Sequence, residues 1–346
     1  MLGCSHDEHK PQSFLDLALA ASFRISLRME ASSFRVGILW IGRFSLRFFK
    51  EPPMLNLVDV AQQFPTEERC RELLCRLRWP NGVECPRCKG RNVASLNGYG
   101  KYWCSECSYQ FSVAVGTVFH DSHLPLTKWF LAAYLITESR KGISANQVKR
   151  MLGISYKSAW YLCHRIRSAM LETEREMLDG IVEIDETYIG GKPRPNRPRK
   201  QKQVVIGIRK RGGDLRLIRA SGATAKNIRQ IINDNVSRDV EVIITDESIV
   251  YPFALDKGQR RRHKTIRHKD KVYVSGSVHT NTVENAFSLL KRGIVGTWHK
   301  VSVKHLPAYL EEMVFRFNRR KKSDLFLDTL RHMVTAPTLT FEKLTA

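Results

Sequence analysis

Two Cys-x-x-Cys pairs, Cys85/Cys88 and Cys104/Cys107, stand fifteen residues apart and constrain the chain around them more than any other feature. Each pair brings two thiolates within reach of one ion, and four soft ligands suit tetrahedral zinc. The β-prone pieces near Tyr102 and Tyr109 are too short to bury a core of their own, so a metal must take its place. The segment therefore reads as a zinc ribbon holding one structural Zn²⁺, with every ligand supplied by protein. Cys4, Cys70, Cys75 and Cys163 are scattered, which fits a reducing cytoplasm better than a disulfide framework.

The 346 residues include 57 Lys+Arg against 34 Asp+Glu, a formal charge of +23. A surface of that sign concentrates polyanions, so nucleic acid is the expected partner. Membrane insertion is not expected. A span needs about eighteen uncharged apolar residues, and Arg43 and Arg47 interrupt the most apolar N-terminal stretch. Residues 1–53 read as an extension outside the folded protein, with Met54 as its natural beginning.

Residues 54–79 read as a helix begun by Thr66 and stopped by Pro80-Asn81-Gly82, and 80–118 as the zinc ribbon. Residues 123–177 read as helical. Trp129, Phe130, Ala133 and Ile136 form an apolar stripe, Ser144 and Gln147 make a capping pattern, and Gly153 separates a further helix beginning at Ser155. That pair resembles a helix-turn-helix, with Tyr156, Lys157, His164, Arg165 and Arg167 as exposed candidates for a DNA groove. A helical linker with a solvated basic face is the competing expectation. Over 178–322 three strands in a meander, a helix and a returning strand predict an α/β domain with a mixed sheet. Basic runs at 192–202, expected to be an exposed loop, and at 257–271 add to the positive surface, and 323–346 reads as a C-terminal tail.

Within this basic chain, "GIVEIDETYIGG" from Gly180 places three carboxylates in an otherwise buried strand. Alternation puts Glu183 and Asp185 on one face, and Val182, Ile184, Glu186 and Tyr188 on the other. Asp246 ends a second apolar strand, where ligand chemistry collects in α/β sheets. Glu284 and Lys291 lie two turns apart on a helix that buries Val283, Ala286, Phe287 and Leu290, so a carboxylate and an ammonium face one cleft. Oxygen ligands of this kind suit a pair of Mg²⁺ ions, with Mn²⁺ as a substitute, facing phosphates and promoting in-line displacement at phosphorus.

The stretches "VEIDETYIGGK", "IITDES" and "HTNTVENAFSLLKRGIVGTWHKVSVKHLPAYLEEMVFRFNRR" resemble the DDE transposases of the IS1595 group, also called ISXO2-like, over residues 54–322. The resemblance implies a zinc ribbon ahead of an RNase H-like catalytic domain, with Asp185, Asp246 and Glu284 as the metal-binding triad and Lys291 on a DNA phosphate. It assigns His305, Tyr309, Arg316 and Asn318 to a C-terminal signature, read as packing and DNA positioning. Some members carry asparagine at the third position, and Asn281 and Asn285 lie beside Glu284 here. The implied function is an insertion-sequence transposase that binds terminal inverted repeats, cleaves and joins DNA, and works as at least a dimer when two ends are paired. The alternatives are a zinc-ribbon DNA-binding regulator with an inactive nuclease-like domain, and an RNase H-like nuclease that cleaves without joining.

Overall fold

Pro65 divides the first helical segment, because a residue preceding proline is pushed out of the α region. The computed structural model describes residues 55–96, 100–190, 202–266 and 278–346. The expectations for residues 1–53, for nearly all of the basic loop at 192–202 and for 267–271 fall outside the described residues. Instead of one helix over 54–79, α1 (Leu57–Gln63) is opened by an Asn56/Asp59 capping box and ends at Phe64, and α2 (Glu67–Arg78) starts on the Thr66 hydroxyl as expected.

The cysteine segment forms an antiparallel meander of β1 (Val93–Leu96), β2 (Lys101–Cys104) and β3 (Tyr109–Ser112). Lys89 and Ser108, each just after the second cysteine of a pair, adopt φ of 64° and 52°, turning the chain sharply so that both thiols face inward. Trp79, Tyr102, Tyr109 and Phe111 pack edge-on and stacked beside the sulfurs as a small aromatic core.

Helices α3 (Leu126–Glu138), α4 (Ala145–Leu152) and α5 (Tyr156–Ala169) follow, with Ser144 and Ser155 as N-caps and Gly153 left-handed at φ 60° between them. The predicted helix pair forms, yet its second member is not a free recognition helix. His164, Arg165 and Arg167 are all buried, and only Tyr156 and Lys157 of the five candidates are exposed. The cause is packing: α5 is enclosed by α3, α4 and two later helices, α10 (Leu306–Arg319) and α11 (Leu325–Thr335). Residues 323–346, expected as a tail, contain α11 and a short α12 (Phe341–Thr345). Leu325, Phe326, Leu330, Met333 and Val334 of α11 belong to the same apolar core as Leu74, Phe130, Leu162 and Ile166.

The α/β part is a five-stranded mixed sheet in the order β6-β5-β4-β7-β8. Its strands are β4 (Ile181–Ile189), β5 (Gln203–Lys210), β6 (Leu215–Ala220), β7 (Val242–Asp246) and β8 (His263–Ile266). β4, β5 and β6 are antiparallel, whereas β7 and β8 run parallel to β4. This is the RNase H-like arrangement expected from the sequence. β8 itself lies within the run at 257–271, whose charges hide its apolar content.

On one face α6 (Ala225–Asn235) and α7 (Val250–Ala254) cover Val182, Ile184, Ile206 and Ile208; a short α8 (Lys257–Arg261) precedes β8. On the other, α9 (Asn281–Gly293) and α10 cover Val205, Leu215 and Leu217. The chain leaves α9 through a π-helical turn, Ile294–Trp298. No helix among the described residues is long and apolar enough to cross a membrane.

α10 joins the two halves. Leu310, Met313 and Val314 pack under the sheet, while Phe315 enters the helical core. Between them Glu312 is fully buried, bound by Arg167 Nε at 2.6 Å and Arg316 Nη2 at 3.0 Å. Arg316 Nη1 also donates to the carbonyls of Ser139 and Arg140, at 2.6 and 3.1 Å. Glu312→Ala leaves two buried guanidiniums without their anion, and we expect a loss of about 3–5 kcal/mol in denaturant unfolding.

Candidate active site

β4 and β7 pair in parallel with Glu183 opposite Ile244, and the same register carried two residues on sets Asp185 level with Asp246. Carboxylate oxygens of Asp185, Glu186 and Asp246 all lie within 4.8 Å of one another at this edge. Asp185 Oδ1 accepts from the Glu186 backbone N–H at 2.8 Å, Asp246 Oδ1 from that of Ser248 at 3.1 Å, and the Tyr251 hydroxyl donates to Glu186. Burial pushes Asp185 up to about 7; the Glu186 N–H opposes that rise, and the charges of Asp246, Glu186 and Glu284 add to it. Glu186 is raised too, by burial and by Asp246, against the Tyr251 hydrogen bond. Carboxylates that resist joint ionisation are the donor set a divalent cation relieves.

Glu284 is exposed on the first turn of α9 and stands outside the 4.8 Å group, although its charge is felt at Asp185. The Thr280 hydroxyl donates to its Oε1 at 2.9 Å. Lys291 is exposed in the last turn of α9, two turns further along. Thus two members of the anticipated triad come together directly, and the third approaches from a separate helix.

Glu183 shares the Asp185 face as alternation requires, but it is fully buried at the N-terminus of α9. Its Oε2 accepts from the backbone N–H groups of Thr282 and Val283 at 3.0 and 3.1 Å and from the Thr282 hydroxyl at 2.7 Å. Its Oε1 accepts from Arg211 Nε at 2.7 Å, with His279 Nδ1 at 3.3 Å. Across the sheet Gly207 pairs with Asp185, and a Cβ there would lie 2.6 Å from Phe287 and 2.8 Å from Val283. Glycine is what lets α9 lie this close.

At the other site the four sulfurs of Cys85, Cys88, Cys104 and Cys107 lie within 4.8 Å of one another, with Cys85–Cys107 at 3.6 Å and Cys88–Cys104 at 3.5 Å. A tetrahedron with Zn–S of about 2.3 Å has edges of about 3.8 Å, so the cluster fits zinc. Burial works against ionising Cys85, yet the N–H groups of Cys88 and Arg87 pull its thiol down to about 7. Burial and the facing sulfurs push Cys107 up to about 12.

Residues 177–318 match the family model of the ISXO2-like transposase domain, and residues 65–110 that of the transposase zinc-ribbon domain. A protein of the transposable element ISH50 of Halobacterium salinarum is 33% identical over 274 residues, spanning 73% of this chain and 91% of its own. The chain belongs to the ISXO2-like transposases.

In this transposase the C-terminal signature residues are packing groups. The Tyr309 ring lies under the Arg167 guanidinium and beside Trp298, Arg316 serves Glu312, and His305 packs on Trp160 and His164. Asn318 bridges both backbone groups of Leu215, at 2.8 and 3.1 Å. Sequence reasoning missed Glu186 as a member of the acidic cluster, because strict alternation sends it away from Asp185. It rejoins because both lie beyond the last β4–β7 pair, where the two faces meet at an open edge. For the same site we expect Gly207→Ala to lift α9 and cost about 1–3 kcal/mol, read as a lower urea midpoint.

Proposed function

We propose that this transposase binds the terminal inverted repeats of its element and carries out divalent-metal-dependent cleavage and strand transfer at the edge formed by β4, β7 and α9. The observation that carries this reading is the clustering of oxygens from Asp185, in β4 just past its last pair with β7, and Asp246, at the end of β7, in a chain of formal charge +23. Asp185, Asp246 and Glu284 would hold two Mg²⁺ or Mn²⁺ ions, with Glu186 beside them. Bound there, such ions supply Lewis-acid activation of the attacking oxygen and neutralise charge at phosphorus.

In the first step water adds to the phosphorus at the element end and the 3′ oxygen leaves as a hydroxyl. In the second, that 3′-hydroxyl attacks a target phosphodiester and displaces its O3′, so one ester replaces another and no enzyme-linked intermediate forms. Lys291, exposed in the last turn of α9, would hold a DNA phosphate as a mobile point charge. Two ends must be brought together, so the active complex contains at least two copies, working on DNA in the cytoplasm.

Zn²⁺ on Cys85, Cys88, Cys104 and Cys107 would supply structure only, since no ligand position is left for substrate. The zinc ribbon and the exposed residues of α4 and early α5, among them Lys149, Arg150, Tyr156 and Lys157, are the surfaces we assign to end recognition.

The test is cleavage and joining of a labelled element end with and without Mg²⁺. Asp185→Asn and Asp246→Asn should each lower both by more than roughly 100-fold, the upper loss for removing merely an outer partner of a metal ligand. End-binding should persist. Unchanged cleavage in both variants refutes the site, and cleavage without a joined product makes the protein a nuclease only. Cys85→Ser should drop bound zinc from about one per chain to near zero by elemental analysis; retained zinc would overturn the ribbon assignment.

A further inference from the structure

We infer that Glu183 is a positioning residue for the reaction: it caps α9 from a neighbouring strand and thereby frees Thr280 to orient Glu284. This rests on the proposed function of the acidic edge and adds a device that holds the edge together.

A helix exposes unpaired N–H groups in its first turn, and a Ser or Thr at the N-cap ordinarily accepts from one of them. α9 has a threonine in that place, yet Thr280 makes no side-chain cap bond. Its buried hydroxyl instead donates to Glu284 Oε1 at 2.9 Å. The first-turn N–H groups of Thr282 and Val283 go to Glu183 Oε2, a carboxylate on β4. A negative charge at a helix N-terminus is also favoured by the helix dipole.

The arrangement is tied at both ends. Arg211 donates through Nε to Glu183 and through Nη2 to the His279 carbonyl at 3.0 Å, so one guanidinium spans the strand acid and the residue before the cap. Glu183 is two residues from Asp185 on the same strand face, and Glu284 is one residue past the capped Val283. A single buried carboxylate therefore sets the distance between the strand bearing Asp185 and the helix bearing Glu284 and Lys291. A glutamine in its place keeps the shape and one acceptor but loses the charge facing Arg211 and the helix dipole.

The experiment uses the full-length protein, a labelled duplex carrying the element end, and titration with Mg²⁺, together with calorimetric titration of Mn²⁺ alone. E183Q should raise the Mg²⁺ concentration for half-maximal cleavage and weaken Mn²⁺ binding on the order of 10- to 100-fold, with DNA affinity unchanged. T280V, which removes the hydroxyl donated to Glu284, should shift the metal requirement in the same direction by a smaller factor, and it decides the matter if E183Q fails to fold. A purely structural role would lower thermal stability and leave metal affinity where it was. Wild-type metal requirement in T280V and in folded E183Q, with Asp185→Asn inactive, overturns the positioning role and spares the proposed function. Wild-type cleavage by Asp185→Asn overturns both.

Discussion

The parallel pairing of β4 with β7 is the contact on which the acidic edge depends. Asp185 and Asp246 come from strands separated in sequence by two further strands and a helix. A slip of one residue would turn one carboxylate to the opposite face of the sheet. The register is held by burial on both faces, with Val182, Ile184 and Ile243 beneath α6 and α7 and Val205 and Leu217 beneath α9 and α10. Once the register is set, burial first and the neighbouring acids second both act against ionising Asp185.

A second constraint acts at right angles to the first. The acids on the strands must meet one on a helix, and apolar packing alone would let that helix slide. Gly207 allows α9 to approach closely, and Glu183 pins its first turn through directional hydrogen bonds. The two work together, since a short interhelical-to-sheet distance is what lets a glutamate side chain reach the helix N-terminus.

The helical part is joined to the sheet with comparable rigidity. α10 presents apolar residues to both cores and carries Glu312 between Arg167 and Arg316. Such a buried ionic cluster is costly to form and costly to break, so it fixes how α5 meets α10. The same burial explains why His164, Arg165 and Arg167, basic residues of α5, are not a groove-reading surface. Charge on a helix indicates solvent or a polyanion only when no buried partner is at hand, and here Glu312 comes from far along the chain.

Much of the architecture was legible in the residues. Cysteine spacing foretold the folded-back knuckles, capping residues foretold the starts of α2, α4 and α5, and strand alternation put Glu183 and Asp185 on one face. The break at Pro65 was missed although its cause is local; the rest of what escaped depended on long-range contact, namely α11 as a core helix, β8 within a basic run, and Glu186 in the acidic cluster. By itself the sequence determined which side chains each element offers to each side, because helix and strand periods are properties of the local backbone. Only the tertiary structure decided which of those side chains meet, and that the capping of α9 falls to Glu183 rather than to its own threonine, because a hydrogen bond goes to whichever acceptor packing brings within reach.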